Sequence, residues 1–503
     1  MERFTTRFWP AFAALFVFHL AASAILYAVA CSGFLAGYHN GHGLWNFALD
    51  SFSYHDLAMT LQEKLTAGDY AGWQSFPKRR HAWFISVFYY LFGPYPISYA
   101  PANSATWALS VIIVNRISNV IFPGIGKASV ACALVFGIWP SFFLTGTQLL
   151  RDPFYNLGTL AFILGWVALL AGNQGYRYGA LAGAGVLLTA SIRLQFIPFM
   201  LLAAAVATLI ILLRNRSSFI YALSAWVVMG AGFFAYTEAP KAFAYTVLMD
   251  DFSQKWPYDH KRIKEVEEAA RNISGIRNDP EFDALLDRWF TIDTIYSPWL
   301  GFDVKERILL TLAEEHKEGL KPFLAHLGED WNPSSWIPVK VQINYIMHGV
   351  KMRDDFLTFY LAPGGSNMDT SVLFRSAEEI IAYTPRAVEI AALAPFPNQW
   401  FVPAAQGGRM ARALSGVEMV TLYVLWAGFA IFLIFSETSR MVKFWLAFFV
   451  FITILPLGLF VPNIGTLYRL RFVYLAPVLI CGVEGLRLAF ERFRPKKPLS
   501  SVI

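Results

Sequence analysis

Apolar positions along this chain fall in long uninterrupted blocks, not in the narrow stripes of amphipathic elements. The hydrocarbon layer of a membrane is roughly 30 Å thick and a helix rises about 1.5 Å per residue, so about 20 mostly apolar residues suffice to cross it. Phe219 to Thr237 and Phe444 to Val461 are of that order without a single charge. The blocks predict an α-helical, polytopic transmembrane bundle of about ten spans. They run roughly Trp9–Ala30, Ser104–Phe122, Ala128–Phe143, Phe154–Leu170, Tyr178–Ser191, Phe196–Leu213, Phe219–Thr237, Leu414–Phe435, Phe444–Val461 and Phe472–Phe490. The first block is longer than the apolar core of a signal peptide. It reads as a retained anchor, although Ala28-Val29-Ala30-Cys31 faintly resembles a lipoprotein cleavage site.

Orientation follows from short-loop Lys and Arg, which concentrate on the cytoplasmic side. With the N-terminus inside, Arg3, Arg7, Lys127, Arg177, Arg214, Arg216, Arg440, Lys443 and the tail Arg492, Arg494, Lys496 and Lys497 are all cytoplasmic. One apolar piece must lie outside this count. Ala82 to Phe92 is short, aromatic-rich and ended by Gly93-Pro94-Tyr95-Pro96, and it reads as a helix lying in the interface with Trp83, Phe88, Tyr89 and Tyr90 at headgroup level. The expected organisation is then an N-terminal module, 1–237, whose extracytoplasmic loop is 33–103. A mostly helical extracytoplasmic domain, 238–412, follows, and then a C-terminal three-span module with a cytoplasmic tail, 413–503. Within the domain, Ser376-Ala377-Glu378-Glu379 reads as a capping box, and Val304, Ile308, Leu312 and Glu315 follow helical spacing.

Composition agrees and narrows the class. Of 503 residues, 56% are hydrophobic and 15% charged, against about a quarter charged in soluble domains. The net charge of +6 conceals an asymmetry: segment 238–412 carries 19 Lys and Arg against 25 Asp and Glu, and the remainder 22 against 10. The basic balance therefore belongs to membrane-flanking positions, and it speaks against a nucleic-acid surface. Cys31, Cys132 and Cys481 lie far apart beside apolar segments and suggest neither a disulfide framework nor a zinc site.

Three groups of residues could carry chemistry. In the first loop, a helix through Leu49–Ala58 would put Asp50, Tyr54, Leu57, Ala58 and Leu61 on one face, with Asp56 pointing roughly the other way. A carboxylate on the apolar face of an interfacial helix resists ionisation, which suits a general base; Asp50 could equally cap that helix. In the second loop, Asp152-Pro153 has the form of a helix N-cap followed by Pro. The topology nevertheless puts Asp50 and Asp152 on the same side, each near a span end, where two converging carboxylates could act as a base and as a metal or substrate orienter. Finally, Arg151, Arg193, Arg469 and Arg471 lie at the outer surface, where the charge pattern predicts few cations. Guanidiniums at headgroup depth suit a lipid-linked phosphate, which Arg holds bidentately; pairing with bilayer phosphates or internal carboxylates explains them equally well. His39 and His42 form an H-x-x-H without a convincing third ligand, and Arg116 is placed to snorkel or to pair within the bundle.

The order of these elements resembles the GT-C superfamily of membrane glycosyltransferases, and most closely its bacterial branch related to protein O-mannosyltransferases and lipid A aminoarabinose transferases. There, one span leads to a loop with Asp-x-x-x-Tyr-x-x-x-Ala, matched by Asp50, Tyr54 and Ala58. An interfacial segment ending in an aromatic–Gly pair follows, as in Phe92-Gly93, and then an Arg/Leu-Asp heading a later helix, as in Arg151-Asp152. Near the C-terminus stands an arginine motif similar to Tyr468-Arg469-Leu470-Arg471. The likeness covers about the first 240 residues well and the last 90 loosely. The chain departs from the family in having Asp50-Ser51 in place of an acidic pair, and Phe76-Pro77-Lys78-Arg79-Arg80 in place of Lys/His-Pro-Pro.

The resemblance implies an inverting transferase that moves a sugar from a polyprenyl-phosphate-linked donor to a glycan, lipid or protein acceptor. It would work on the extracytoplasmic side of a bacterial inner membrane, among membrane lipids and without nucleic acid. Asp50 would be the catalytic base, Asp152 the second acidic residue, and Arg469 and Arg471 the holders of the donor phosphate. Tyr54, Asp56, Arg151, Arg193 and Tyr468 complete the expected substrate-binding set. Such a donor is already activated, which leaves open whether a divalent ion, Mg or Mn, serves as a cofactor. Two other classes compete. An O-antigen-type polymerase or ligase would put its arginines in a large late loop, where Arg353, Arg375 and Arg386 lie. A lipid-linked sugar flippase or transporter would show polar residues or broken helices at mid-bilayer and internal repeats.

Overall fold

The computed structural model describes residues 2–74, 80–214, 218–235, 260–291, 367–370, 377–402 and 408–493, with isolated positions between 309 and 325 and at 353, 372 and 374. Phe76 to Arg79, the helical spacing at Val304 to Glu315, Arg375, the capping residue Ser376 and the tail from Arg494 lie outside the described residues. The described chain is built from helices; its only β pairings are two isolated bridges, His39 with Trp45 and Asn367 with Asn463.

In chain order the helices are α1 (Glu2–Cys31), α2 (Asp50–Thr66), α3 (Tyr70–Gln74), α4 (Arg80–Phe92), α5 (Ala100–Ile121), α6 (Gly126–Gly137), α7 (Pro140–Gly146), α8 (Asp152–Leu170), α9 (Tyr176–Ile192), α10 (Ile197–Arg214) and α11 (Phe219–Ala235). They continue with α12 (His260–Ser274), α13 (Pro280–Thr291), α14 (Ala377–Leu393), α15 (Gly408–Phe435), α16 (Arg440–Phe460), α17 (Ile464–Arg471) and α18 (Ala476–Phe493). Among the described residues seven helices are long and apolar enough to cross a membrane, so the protein is a helical membrane protein. They correspond to seven of the ten expected spans. Of the other three, Ala128–Phe143 is broken into α6 and α7 with a 60° bend. Trp139 supplies the break and Pro140 starts the new helix, a position where its missing N–H costs nothing. The fifth and seventh expected spans are α9 and α11, both of 17 residues.

The chain divides into two compact units: Met1–Gly232 with Leu393–Thr453 and Tyr468–Ile503, and Phe233–Ala392 with Ile454–Leu467. In the first unit α8 is the central helix, with nearly every side chain buried. Its approach to α9 is set by glycines: a Cβ on Gly185 would lie 2.5 Å from the Gly158 carbonyl oxygen and 2.6 Å from the Phe162 nitrogen. Close backbone contact of this kind is how helices associate in lipid, where dispersion rather than water exclusion drives packing. The first loop folds onto α2 and α4, which share an apolar core of Tyr54, Ala58, Leu61, Ala82, Ile85, Tyr89, Tyr99 and Leu149. At 13 residues, α4 is about 20 Å long, too short to span the hydrocarbon layer.

The second unit contains α12 and α13, joined by the Arg271–Asp283 pair at 2.7 Å, and an anchor around Asp369. Arg386 donates to the Asp369 carboxylate from Nε at 3.0 Å, and the Tyr383 hydroxyl donates to it at 2.7 Å. Burial opposes the ionisation of Asp369, but Arg386, Tyr383 and Arg353 outweigh it and hold the carboxyl below its ordinary range. The buried Arg353 guanidinium donates to the carbonyls of Val372, Leu459 and Asp369 at 3.2, 3.1 and 3.0 Å.

Candidate functional site

The α2 face follows helical spacing, with one correction. Tyr54, Ala58 and Leu61 are buried along it, but Asp50, the first helical residue, stands at its solvent end with its side chain 48% exposed. The apolar setting expected for this carboxylate is therefore absent. Asp50 does not cap α2 either: the N-cap is Leu49, with no side-chain cap bond. Asp152 likewise is the first residue of α8, after Arg151 at the N-cap, and neither residue makes a cap bond. Both carboxylates are thus committed elsewhere.

They are committed to arginines. Arg469, in the last turn of α17, donates from Nη2 to Asp50 Oδ2 at 2.7 Å, and its Nε lies 3.7 Å from Asp152 Oδ2. Arg193, which ends α9, donates from Nη2 to Asp152 Oδ1 at 2.9 Å, with side chains 6% and 5% exposed. Its guanidinium also lies over the Tyr155 ring, 5.5 Å from the centroid. Arg151 turns back to the Ile192 carbonyl at 3.3 Å, tying the start of α8 to the end of α9. Burial and then Arg193 lower the proton affinity of the Arg151 guanidinium, against Tyr54, Asp152 and Asp50. The result is a line of alternating charge, Asp50–Arg469–Asp152–Arg193, with Arg151 beside it. Three guanidiniums face two carboxylates, so the cluster keeps one unit of positive charge. The Nε groups of Arg469 and Arg193 are buried and have no hydrogen-bond acceptor among the described residues.

Not every expected residue joins this cluster. Asp56 is exposed on the far side of α2 and forms no ion pair with it. Arg471 follows Arg469 by two residues, which on a helix means a turn of about 200°. It is therefore buried on the other side of α17, where it donates to the Ala394 carbonyl and lies 3.0 Å from Met419 Sδ. Its guanidinium covers the Tyr468 ring at 5.4 Å, so Tyr468 also belongs to that side. The arginine motif is split between two environments, and the expected pairing of Arg469 with Arg471 on one phosphate is not what the helix presents. Tyr54 packs edge-on against His81 at 5.2 Å.

Other well-placed residues lie outside the expected set. His81, at the start of α4, is buried and touches Tyr54, Tyr99 and Phe154. Burial first, then Arg151, pushes its imidazole from an ordinary 6.5 down to about 3, against Asp152 and a hydrogen bond to the Leu150 backbone. Tyr155 and Tyr474 share a hydroxyl hydrogen bond that joins α8 to the chain just after α17. Glu418, buried in α15 and accepting from the Ser141 N–H, was legible as a lone charge in an apolar block. His39 is taken up by the Phe34 carbonyl and the Gly41 N–H, which leaves the H-x-x-H pair in its loop.

As a metal site the cluster does not fit. Among the described residues no three His, Cys, Asp or Glu side chains converge, and the two carboxylates are already answered by guanidiniums. No protein-family profile, curated protein or solved structure matches the chain.

Proposed function

We propose that the protein is a membrane glycosyltransferase that moves a sugar from a polyprenyl-phosphate-linked donor to an acceptor hydroxyl or amine. The reaction would occur on the extracytoplasmic face of a bacterial inner membrane. The observation that carries this reading is the Asp50–Arg469–Asp152–Arg193 line, in which a half-exposed carboxylate meets a guanidinium that is itself backed by a buried carboxylate.

In the resting site Arg469 neutralises Asp50. A phosphodiester offers the same guanidinium a second anion with bidentate geometry. As Arg469 turns to it, Asp50 loses its partner and becomes available to the acceptor. The acceptor oxygen or nitrogen then attacks the anomeric carbon opposite the phosphate and inverts the centre, while its proton passes to Asp50. The bond from the anomeric carbon to the phosphate oxygen breaks, and the electron pair leaves on the polyprenyl phosphate. Arg469, Arg193 and Arg151 stabilise the charge that accumulates there, in a site of lower dielectric than water. Asp152 is too deeply buried to take the acceptor proton and serves instead to aim Arg469 and Arg193.

A second reading, transport of a lipid-linked sugar, draws on the 60° break between α6 and α7 and on the buried Glu418 within α15. The polymerase reading is weakened because Arg353 and Arg386 are both spent on internal bonds of the second unit. Cell-free transfer from radiolabelled polyprenyl-phosphate sugars, with protein in nanodiscs, separates the readings. Wild type is expected to transfer label and Asp50→Asn to do so at least about 100-fold more slowly. Equal rates would remove Asp50 from the mechanism, and label that crosses the bilayer without transfer would favour the transporter.

A further inference from the structure

One side chain holds the segment that leads to Asp50 against the segment that leads to Asp152. Gln148, in the corner between α7 and α8, is buried, and its Oε1 accepts the backbone N–H of Trp45 at 3.1 Å, across 103 positions of sequence. Its Nε2 donates to the Thr147 carbonyl at 3.2 Å. Its backbone carbonyl accepts twice, from Asn103 Nδ2 of α5 at 2.5 Å and from the Leu150 N–H at 2.7 Å. The first loop, α5 and the approach to α8 therefore meet at this one residue.

Both ends of this link run straight to the carboxylates. From Trp45 a 3₁₀ turn, Asn46–Ala48, leads into α2; the Ala48 N–H donates to the Trp45 carbonyl at 3.0 Å and the Phe52 N–H to the Leu49 carbonyl at 3.1 Å. Trp45 is also moored to α1, its Nε1 donating to the Leu26 carbonyl at 3.2 Å. On the other side, the Leu150 turn carries the chain from Gln148 to Asp152. Packing alone does not call for an amide here. Methionine would fill much the same space, but it would leave the Trp45 N–H buried without an acceptor, a costly omission. The two bonds also assign the ends of the amide: the Trp45 N–H can only donate and the Thr147 carbonyl can only accept.

We propose that Gln148 is a positioning residue: a staple between the first loop and the head of α8 that fixes the separation of Asp50 and Asp152, so that one guanidinium, that of Arg469, can address both. This rests on the glycosyltransferase reading for its functional meaning, but the geometry it claims can be measured without sugar transfer. Phenylglyoxal modifies free guanidiniums, and the adduct at each arginine can be quantified by peptide mass spectrometry. The experiment compares wild type, Gln148→Met, Gln148→Asn and Gln148→Glu in nanodiscs, with the exposed Arg177 as internal reference. Gln148→Met keeps the volume and loses the acceptor. Gln148→Asn keeps the amide on a side chain one carbon too short to reach Trp45, and Gln148→Glu keeps the acceptor oxygen at full length.

In Gln148→Met and Gln148→Asn, Arg469 is expected to react at least about threefold faster than in wild type with Arg177 unchanged, and Gln148→Glu is expected to stay within about twofold of the wild-type rate. Transfer kcat/KM should fall about tenfold in the first two variants and recover in the third. Should Gln148→Met not fold, the contrast between Asn and Glu decides alone. An Arg469 rate unchanged in Gln148→Asn overturns the proposal. So does a rise at Arg469 and Arg177 alike, which marks a general structural role, or a Glu variant that behaves like the Asn variant. A wild type that transfers from no donor, together with the expected Arg469 pattern, removes the glycosyltransferase reading and leaves the staple standing.

Discussion

Arg469 Nη2 lies 2.7 Å from Asp50 Oδ2, a contact between residues 419 positions apart. The same guanidinium reaches toward Asp152 through Nε at 3.7 Å, so one side chain links the first loop to the head of α8. The geometry depends on the planar fork of arginine. Lysine would bring the charge but only a point contact, and could not address two carboxylates on different elements at once. Arg469→Lys is therefore expected to lose about 10- to 100-fold in kcat/KM for the donor while remaining folded, with KM carrying much of the loss. Transfer kinetics over a donor concentration series check this; a variant indistinguishable from wild type would show that Arg469 is not a phosphate ligand.

The Arg193–Asp152 pair is the buried half of the cluster, with both side chains nearly inaccessible. Removing one partner of such a pair strands the other charge, at a cost of about 3–5 kcal/mol, whereas replacing both with apolar residues of similar size can be neutral. Asp152→Leu should thus destabilise by about that amount, and Asp152→Leu with Arg193→Met should recover most of it while staying inactive. Unfolding titrations in mixed micelles provide the comparison, and a double variant no more stable than the single one would contradict the buried-pair account.

Gly185 makes a purely steric case. Any Cβ there meets the Gly158 carbonyl oxygen and the Phe162 backbone, neither of which can swing aside. Gly185→Val is expected to force α8 from α9 and cost about 2–4 kcal/mol. Since Asp152 and Arg193 stand on these two helices, activity should fall with stability. Normal stability of the variant would mean that the helices are not held at this distance.

His81 gives the protein a dependence on acid. Its folded-state proton affinity is depressed, from an ordinary 6.5 to about 3, because burial and Arg151 disfavour the cation. Between those values the unfolded chain binds a proton that the folded chain refuses. The contribution of neutral His81 is thus complete above pH 6.5 and declines as pH falls toward 3, by up to about 1.4 kcal/mol per pH unit. His81→Phe should flatten the stability-versus-pH curve by about that slope between pH 6.5 and 4.5. Parallel curves for variant and wild type would place the titration elsewhere.

Much of this architecture was legible because it rests on local rules. Apolar blocks of spanning length mark helices wherever they occur, and the α2 face of Tyr54, Ala58 and Leu61 follows from a 3.6-residue period. What spacing could not supply was the rotation of each element about its axis. Asp50 shares a face with Tyr54, yet it lies at the open end of that face, so period alone promised a burial that position denies it. Arg469 and Arg471 read as one motif because they are neighbours in sequence, and helical geometry separates them. His81 was invisible for a different reason. Its surroundings, Tyr54, Tyr99 and Phe154, come together only in three dimensions, and no periodicity records such a meeting.

The division of labour along α17 has a mechanical consequence. Arg469 bonds on one side of this short helix and Arg471 on the other, so the two side chains act as opposed keys that index its rotation. A helix keyed on one side only would swivel as soon as an incoming anion claimed its guanidinium. Here the Arg471 key stays seated against Ala394 and Met419 whatever Arg469 is holding. On the proposed reading, Arg469 could therefore exchange one anion for another while α17 keeps its rotation.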